Sequence, residues 1–248
     1  MSNMESASAP VVWLAYVSYP VTTAVYFERA LRRLGRVVTC GPKIGPDIIE
    51  KWHLQNMKLP VLDHDMPLAW EPDMREVCMA ARARFPAPDL YLWIESVPGY
   101  HPTHLEAVRC PKACYLIDSH LNLKWHVQWA RLFDYVFIAQ REYVEEFRRH
   151  GCQNIYWLPL ACDTEVNSKR SSEKVIDVGF VGTVVMNTRR SQLLQRIADK
   201  NLYLMVGRCF GDDMADLFSK SRIVFNNAVR NDLNMRVFEA MSTGSFLL

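Results

Sequence analysis

Short runs that are apolar on both faces recur along the chain, and each is followed by a stretch with helical periodicity. DLYLWIE (89–95), ACYLID (113–118) and YVFIA (135–139) are three such runs. A strand that is apolar on both faces has to be covered on both sides, as in a parallel sheet with helices packed against each face. The pattern therefore predicts an α/β protein built on open parallel sheets.

The alternation of strands and helices begins at VVWLAYV (11–17), breaks at a polar stretch, and begins again at VIDVGFVG (175–182). The polar stretch is DTEVNSKRSSEK (163–174), whose cluster of serine and basic residues is typical of a linker. We therefore predict two parallel-sheet domains, residues 1–165 and residues 166–248.

Composition excludes several functional classes. Half of the 248 residues are hydrophobic and 23% are charged, which is typical of a folded chain. The formal net charge of +2 is too small to indicate nucleic-acid binding, because neutralising a phosphate backbone takes many unpaired basic residues. No apolar run approaches the roughly 18 residues of a transmembrane helix, and MSNMESASAP at the N-terminus lacks the basic residues of a signal peptide. We therefore expect a cytoplasmic protein.

The seven cysteines are scattered through the predicted strands and helices, so we expect reduced and mostly buried thiols. Cys110 and Cys114 have a spacing that zinc sites use, but no second cysteine or histidine pair stands at a matching interval. Structural thiols are therefore the expected interpretation of this pair.

Four separated segments together resemble one protein family. They are CYLIDSH (114–120), FDYVFIAQREYVEEFRRHGCQNIYWLPLACD (133–163), DVGFVGTVVMNTRRSQLL (177–194) and RIVFNNAVRNDLNMRVFEAMSTGSFLL (222–248). In order and spacing they resemble the CgeB-like (spore maturation protein) glycosyltransferases, which are allied to the group 1 glycosyltransferases. The resemblance implies two facing Rossmann-like domains, the first binding the acceptor and the second the nucleotide sugar. It also implies that the second domain continues beyond Leu248 and is incomplete here.

The last predicted helix carries residues that the resemblance connects to the nucleotide sugar. Glu239 is the only carboxylate of this helix, and it matches the glutamate that holds the ribose in the group 1 enzymes. Asn234 is a favourable N-cap residue and Arg236 lies in the first turn, so the positive end of the helix dipole can face phosphates. The alternative for Glu239 is a solvent-facing position on an amphipathic helix.

A second phosphate-facing element is predicted where strand 177–181 ends. Gly182 lets the backbone approach a phosphate closely, and Arg189 or Arg190 can donate bidentate hydrogen bonds to it. The alternative is that both arginines are solvated in the first turn of a helix. Neither G-x-G-x-x-G nor a Walker A sequence occurs, which argues against a dinucleotide dehydrogenase and a phosphate-loop ATPase. The group 1 enzymes usually place another glutamate near the donor sugar, and Asn231 occupies that position here.

Catalytic candidates follow two strands of the first domain, at the edge where open α/β sheets gather their ligands. Strand 89–95 ends in Glu95, and strand 113–118 ends in Asp118, with His120 two residues later. A carboxylate or an imidazole at this edge can be the general base that deprotonates an acceptor hydroxyl. The alternatives are an N-cap role for Asp118 and a hydrogen-bonded loop role for His120.

These features predict a glycosyltransferase that moves a sugar from a nucleotide-sugar donor to a hydroxyl of an unidentified glycan, protein or lipid acceptor. No cofactor or metal is expected, because helix ends and basic side chains can neutralise a pyrophosphate. The alternative is a non-catalytic nucleotide-sugar-binding or partner-binding module, which the expected truncation of the second domain motivates.

Overall fold

The computed structural model describes residues 9–55, 61–97, 99–228 and 232–248. The chain divides after Pro159 into two compact units. Each unit is built on its own sheet, and every strand pair in the described residues is parallel. The predicted α/β class with parallel sheets is therefore confirmed.

The first unit contains seven strands and five α-helices in the described residues. The strands are β1 (Val11–Ala15), β2 (Arg36–Gly41), β3 (Met66–Pro67), β4 (Leu90–Ile94), β5 (Lys112–Leu116), β6 (Tyr135–Ile138) and β7 (Ile155–Trp157). The helices are α1 (Ala24–Leu31), α2 (Pro46–Lys51), α3 (Met74–Ala81), α4 (Ser119–Ala130) and α5 (Val144–Arg149).

The strand order of the first sheet is β3-β2-β1-β4-β5-β6-β7, so the winding direction reverses between β1 and β4. Four consecutive residues are buried in each of β1, β4 and β5. Because successive side chains of a strand point to opposite faces, both faces of these central strands are covered. This is the doubly wound arrangement that the continuous apolar runs predict.

The second unit contains four strands and three α-helices in the described residues. They are β8 (Ile176–Val181), α6 (Arg189–Ala198), β9 (Leu204–Gly207), α7 (Gly211–Lys220), β10 (Ser221–Val224), α8 (Met235–Ser242) and β11 (Phe246–Leu247). The strand order is β11-β10-β8-β9, so the winding direction reverses between β8 and β10. Helix α6 begins at Arg189 because Thr188 and Ser191 form a capping box there.

Two apolar clusters fill the second unit, one on each face of its sheet. One consists of Val178, Phe180, Leu194 and Phe225, and the other of Val181, Met214, Phe218, Val224 and Ala240. The alternation of side chains along β8 places Phe180 and Val181 on opposite faces. Helix α6 therefore covers the Phe180 face, whereas α7 and α8 cover the other. Phe180 is the next-to-last residue of β8, so its ring lies near the carboxyl end of the sheet.

Two segments differ from the sequence-based expectation. The apolar run NIYWLPLAC (154–162) predicts a strand, but β7 ends at Trp157, because Pro159 has no N–H to donate to a strand ladder. The segment 163–174 belongs to the second unit instead of behaving as a free linker. Within it, Arg170 pairs with Asp212 of α7 at 2.5 Å. Its polar composition thus reflects hydrogen bonding to neighbouring elements.

All seven cysteines are free thiols. Burial raises the pKa of both Cys110 and Cys114, which keeps these two groups in the thiol form. Among the described residues, no three side chains of His, Cys, Asp or Glu lie close enough to hold a metal ion. No helix in the described part of the chain is long and apolar enough to cross a bilayer.

Candidate functional site

The carboxyl ends of β8 and β10 lie side by side where the second sheet reverses its winding direction. After β8 the chain forms β9 next to one edge of β8, and then crosses over to form β10 next to the other edge. The connections that leave such neighbouring strands diverge, and ligands of open α/β sheets bind in the crevice between them. We call this place the β8–β10 crevice; it is bounded by Gly182 and Thr183 after β8 and by Asn226 and Asn227 after β10.

Arg190 spans the β8–β10 crevice. Its Nη1 donates to the Thr183 carbonyl at 2.8 Å, and its Nη2 donates to the Asn227 carbonyl at 2.7 Å. The guanidinium carbon lies 5.5 Å from the centroid of the Phe180 ring. Its Nε is buried and has no hydrogen-bond partner among the described residues. The guanidinium is therefore fixed in position while its Nε–H remains unused.

Arg236 brings a second positive charge to the same ring. Its guanidinium carbon lies 5.8 Å from the centroid of Phe180, and its Nε is also buried without a partner in the described residues. Burial lowers the pKa of Arg236, while the charge of Glu239 opposes this shift and that of Arg190 adds to it. Two guanidinium groups close to one ring make the crevice an anion-attracting place.

Gly182 keeps the floor of the crevice open. Its φ of +152° lies in the region that glycine adopts readily and other residues rarely do. A Cβ at this position would lie 3.1 Å from Phe180 Cζ and 3.5 Å from Arg236 Nη2. Any other side chain would therefore crowd the aromatic ring and lie in contact with the guanidinium.

Glu239 is a buried carboxylate in the second turn of α8. Its side chain is only 6% exposed, and no group among the described residues donates a hydrogen bond to its carboxylate. Burial raises the pKa of Glu239, and Arg236 opposes the shift without cancelling it. A buried carboxylate without hydrogen-bond donors is costly, so such a group is expected where a ligand supplies them.

Asn234 is the N-cap residue of α8, but its side chain makes no capping hydrogen bond to the helix. Instead its Nδ2 donates to Asn226 Oδ1 at 3.3 Å, and its buried Oδ1 has no partner among the described residues. Side-chain capping therefore does not occupy the first N–H groups of α8. Since Asn226 follows β10, the positive end of the helix lies beside the β8–β10 crevice.

In the first unit, Glu95 directly follows β4, and both of its carboxylate oxygens have hydrogen-bond partners. Its Oε2 accepts hydrogen bonds from the backbone N–H groups of Ile117 at 2.5 Å and Asp118 at 3.1 Å. Its Oε1 lies 3.0 Å from His126 Nε2. Glu95 is 8% exposed as a residue, so it joins the ends of β4 and β5 from inside the unit. We call this junction the β4–β5 edge.

Asp118 and His120 lie at the β4–β5 edge on the first turn of α4. Asp118 is the N-cap residue with φ −112° and ψ 46°, yet its side chain does not cap α4. Asp118 is partly exposed, whereas His120 is 9% exposed. Burial raises the pKa of Tyr19 to about 12, and the charges of Asp118 and Glu95 add to the shift. A phenol and two carboxylates therefore meet at this edge.

The corresponding edge between β1 and β4 is filled by the protein itself. Val17 N donates to Ser96 Oγ at 2.9 Å, which joins the ends of these two strands. Ser18 Oγ donates to the Leu62 carbonyl at 2.6 Å, which places the segment before β3 against the end of β1. The polar edge of β4 and β5 is therefore the better candidate for contact with a ligand.

Comparison with known proteins agrees with this geometry. Residues 189–248, which include Arg190, Arg236 and Glu239, match the protein family described as Glycosyl transferase-like. The solved structure of Anabaena HepE with UDP and glucose is 13% identical, with a TM-score of 0.59 over 96% of this chain and 80% of that one. The chain has the fold of the GT-B glycosyltransferases.

Two further solved structures extend this comparison. Sucrose-phosphate synthase from Thermosynechococcus elongatus is 10% identical, with a TM-score of 0.59 over 96% of this chain and 80% of that one. A glycosyltransferase from Rickettsia africae is 7% identical, with a TM-score of 0.58 over 96% of this chain and 78% of that one. A search of curated protein sequences finds no match. The prediction of Rossmann-like parallel-sheet units is thus confirmed at the level of the fold.

Within the glycosyltransferase fold, three of the seven residues proposed from the sequence for the donor lie around one ring. Gly182, Arg190 and Arg236 lie around Phe180, and Glu239 lies close enough to Arg236 to affect its pKa. Arg189 is exposed and does not join this group. Asn231 lies outside the described residues.

Sequence reasoning did not single out Phe180, His126 or Ser119. Phe180 occupies a continuous apolar strand, where nothing distinguishes a ring at a site from a ring in the core. His126 and Ser119 lie on a helix, and the sequence carries no sign that they contact Glu95, which precedes His126 by 31 residues. The one sequence signal that pointed to His126 and Ser119 is their position on a helix that follows a strand with a polar end.

Proposed function

We propose that this chain is a glycosyltransferase that moves a sugar from a nucleoside-diphosphate sugar to an acceptor hydroxyl. The observation that carries the proposal is that two guanidinium groups lie beside one buried carboxylate to which no described group donates a hydrogen bond. A nucleotide sugar has an anionic pyrophosphate that can bind the guanidinium groups, and a ribose diol that can donate hydrogen bonds to the carboxylate. The family match over 189–248 and the fold shared with HepE, solved with UDP and glucose, support this choice.

In the proposed donor complex, the pyrophosphate lies between Arg190 and Arg236. Each guanidinium has a buried Nε–H that no described group accepts, and charge-assisted hydrogen bonds to phosphate are strong. The uncapped N-terminus of α8 adds backbone donors and the positive end of a dipole. We extend the proposal to transfer without a metal ion, because these groups can neutralise the charge that develops on the leaving diphosphate.

Glu239 accepts hydrogen bonds from the two ribose hydroxyls in this proposal. The carboxylate is ionised in the complex, so each bond is charge-assisted. The ribose thereby supplies the donors that this buried carboxylate lacks among the described residues. The contact fixes the nucleoside independently of the sugar that is transferred.

We assign the acceptor to the β4–β5 edge of the first unit. A general base there takes the proton of the acceptor hydroxyl, whose oxygen bonds to the anomeric carbon while the bond between that carbon and the diphosphate oxygen breaks and the nucleoside diphosphate leaves. Asp118 suits this role better than His120, because Asp118 is partly exposed whereas His120 is buried. Glu95 is engaged by two backbone N–H groups and His126, so we assign it to the support of Asp118.

The finer assignment to the CgeB-like glycosyltransferases is also a proposal. It rests on the four segments between Cys114 and Leu248 whose order and spacing resemble that family. The acceptor is a glycan, protein or lipid hydroxyl under this assignment.

Titration calorimetry with UDP, GDP, uridine and a set of UDP- and GDP-sugars tests the donor site. We expect one diphosphate and its sugar conjugates to bind, and uridine, which lacks phosphate, to bind far more weakly. Release of the diphosphate from the bound donor, with glycan, peptide and lipid acceptors, then tests transfer. Failure of every nucleotide to bind would overturn the proposal, and binding without turnover would indicate a non-catalytic binding module.

A further inference from the structure

A chain of hydrogen bonds runs inside the first unit from the end of β4 to the first turn of α4. His126 is fully buried; its Nε2 lies 3.0 Å from Glu95 Oε1, and its Nδ1 lies 3.1 Å from Ser119 Oγ. The backbone N–H of Ser119 donates to Gln140 Oε1 at 3.1 Å. With a neutral imidazole, Nε2–H donates to the carboxylate and Nδ1 accepts from the serine hydroxyl. Each polar group in this series of hydrogen bonds therefore has a partner.

This serine, histidine and carboxylate do not form a nucleophilic triad. A nucleophilic serine must be reached by its substrate, and Ser119 is completely buried. Glu95, the third member, also accepts two backbone N–H groups, which a triad carboxylate need not do. The arrangement therefore has another role.

The first turn of α4 depends on this series of hydrogen bonds for its position. Asn122 has φ −124° and ψ 15°, which are not helical values, so the helix is kinked just after its first turn. A kink interrupts the regular hydrogen-bond ladder, so the rest of the helix holds the turn that carries Asp118 and His120 less firmly. Instead Glu95 holds the backbone of Ile117 and Asp118. His126, beyond the kink, holds Glu95.

We propose that Glu95 and His126 are positioning residues that fix the general base Asp118 for the acceptor hydroxyl. This inference rests on the proposed function, because it deepens the role of the β4–β5 edge in transfer. Ser119 orients His126, and His126 orients Glu95. Glu95 then fixes the backbone at Asp118. Neither Glu95 nor His126 contacts the substrate. Their effect on the rate passes through Asp118.

The test compares His126→Leu with His126→Gln in the full chain, using the donor sugar identified by calorimetry. Leucine leaves Glu95 without its imidazole donor, whereas glutamine can still donate an amide N–H to it. We expect His126→Leu to lower kcat by about 100-fold, the loss that a small misplacement of a catalytic group causes. The glutamine variant should keep kcat within a few-fold. The donor Kd should be unchanged in both variants.

A double-mutant cycle with Asp118→Asn separates positioning from general destabilisation. If His126 acts through Asp118, His126→Leu lowers kcat in the parent and has almost no further effect in the Asp118→Asn background. Equal losses in both backgrounds would overturn the inference while leaving the proposed glycosyl transfer intact. If His126→Leu does not fold, Ser119→Ala, which removes a single oxygen, takes its place with an expected loss of a few-fold. A parent chain that cleaves no nucleotide sugar would overturn the proposed function itself.

Discussion

Arg190 and Arg236 place their guanidinium groups against the same ring, that of Phe180, at 5.5 and 5.8 Å from its centroid. Two like charges in a partly buried place repel each other, and the charge of Arg190 contributes to the lowered pKa of Arg236. Among the described carboxylates, the one whose charge acts on Arg236 is Glu239, and one negative charge does not balance two positive ones. An anion with more than one charge, such as a pyrophosphate, would remove this repulsion on binding.

The neighbours Arg189 and Arg190 provide a matched pair for testing the anion site. Arg190→Gln removes a fixed charge at the crevice, whereas Arg189→Gln removes an exposed one from the same helical turn. We expect the first to weaken binding of the nucleoside diphosphate by about 10- to 100-fold, the value of one or two charge-assisted hydrogen bonds. The second should change the Kd by no more than about two-fold. Calorimetric titration of both variants checks this, and equal effects would place the phosphates elsewhere.

Glu239→Gln separates ligand binding from stability. If Glu239 holds the ribose, loss of its charge weakens two hydrogen bonds and raises the Kd of the donor by roughly 10- to 100-fold. The loss should be equal for the free nucleoside diphosphate, because the contact is to ribose. Met241→Gln, at a 62% exposed position of the same helix, is the control and should leave the Kd unchanged. A loss confined to the nucleotide sugar would move Glu239 from the ribose to the hexose.

The same Glu239→Gln variant should be at least as stable as the parent at neutral pH. Burial raises the folded-state pKa of Glu239 above its unfolded value of about 4.3. A raised carboxyl pKa gives a stabilising contribution that is complete below the unfolded value and is lost as the pH rises through the folded value. At neutral pH the parent therefore bears the cost of a buried charge, and the amide does not. Urea unfolding without ligand measures this, and a marked loss of stability would show that a donor inside the protein holds the carboxylate.

Much of this architecture was predictable, because a strand buried on both faces needs an unbroken apolar run. Which arginine reaches the crevice was not predictable from composition or spacing. Arg189 and Arg190 differ only in their angle around α6, and that angle is set by the capping box that starts the helix after Thr188. Glu95 was predicted as a catalytic candidate from its place at a strand end. Its hydrogen bond to His126 crosses 31 residues and becomes visible only in the folded unit.

The raised pKa of Glu239 also predicts how donor binding changes with pH. The carboxylate must be ionised to accept two ribose hydrogen bonds, so affinity falls as the pH drops through the pKa of the free protein. Because burial raises that pKa, the fall should begin above the range of an ordinary glutamate, which titrates at about 4.3. Titrations with the diphosphate between about pH 7.5 and about pH 4.5 measure it. In Glu239→Gln only the titration of the phosphate should remain, and identical profiles for the two proteins would contradict the assignment.

The acceptor side predicts a loss of rate without a loss of donor affinity. Asp118→Asn keeps the shape of the side chain but removes its basicity, so we expect transfer to fall by about 100-fold or more. His120→Ala is the second variant. Because His120 is only 9% exposed, we expect it to be a packing residue, and its replacement should lower transfer by less than about ten-fold. The donor Kd, measured for both variants by calorimetry, reports that the second unit is unaffected. If His120→Ala loses the larger factor while remaining folded, the imidazole is the base and Asp118 orients it. If neither variant slows transfer, the proton leaves through a group outside the β4–β5 edge.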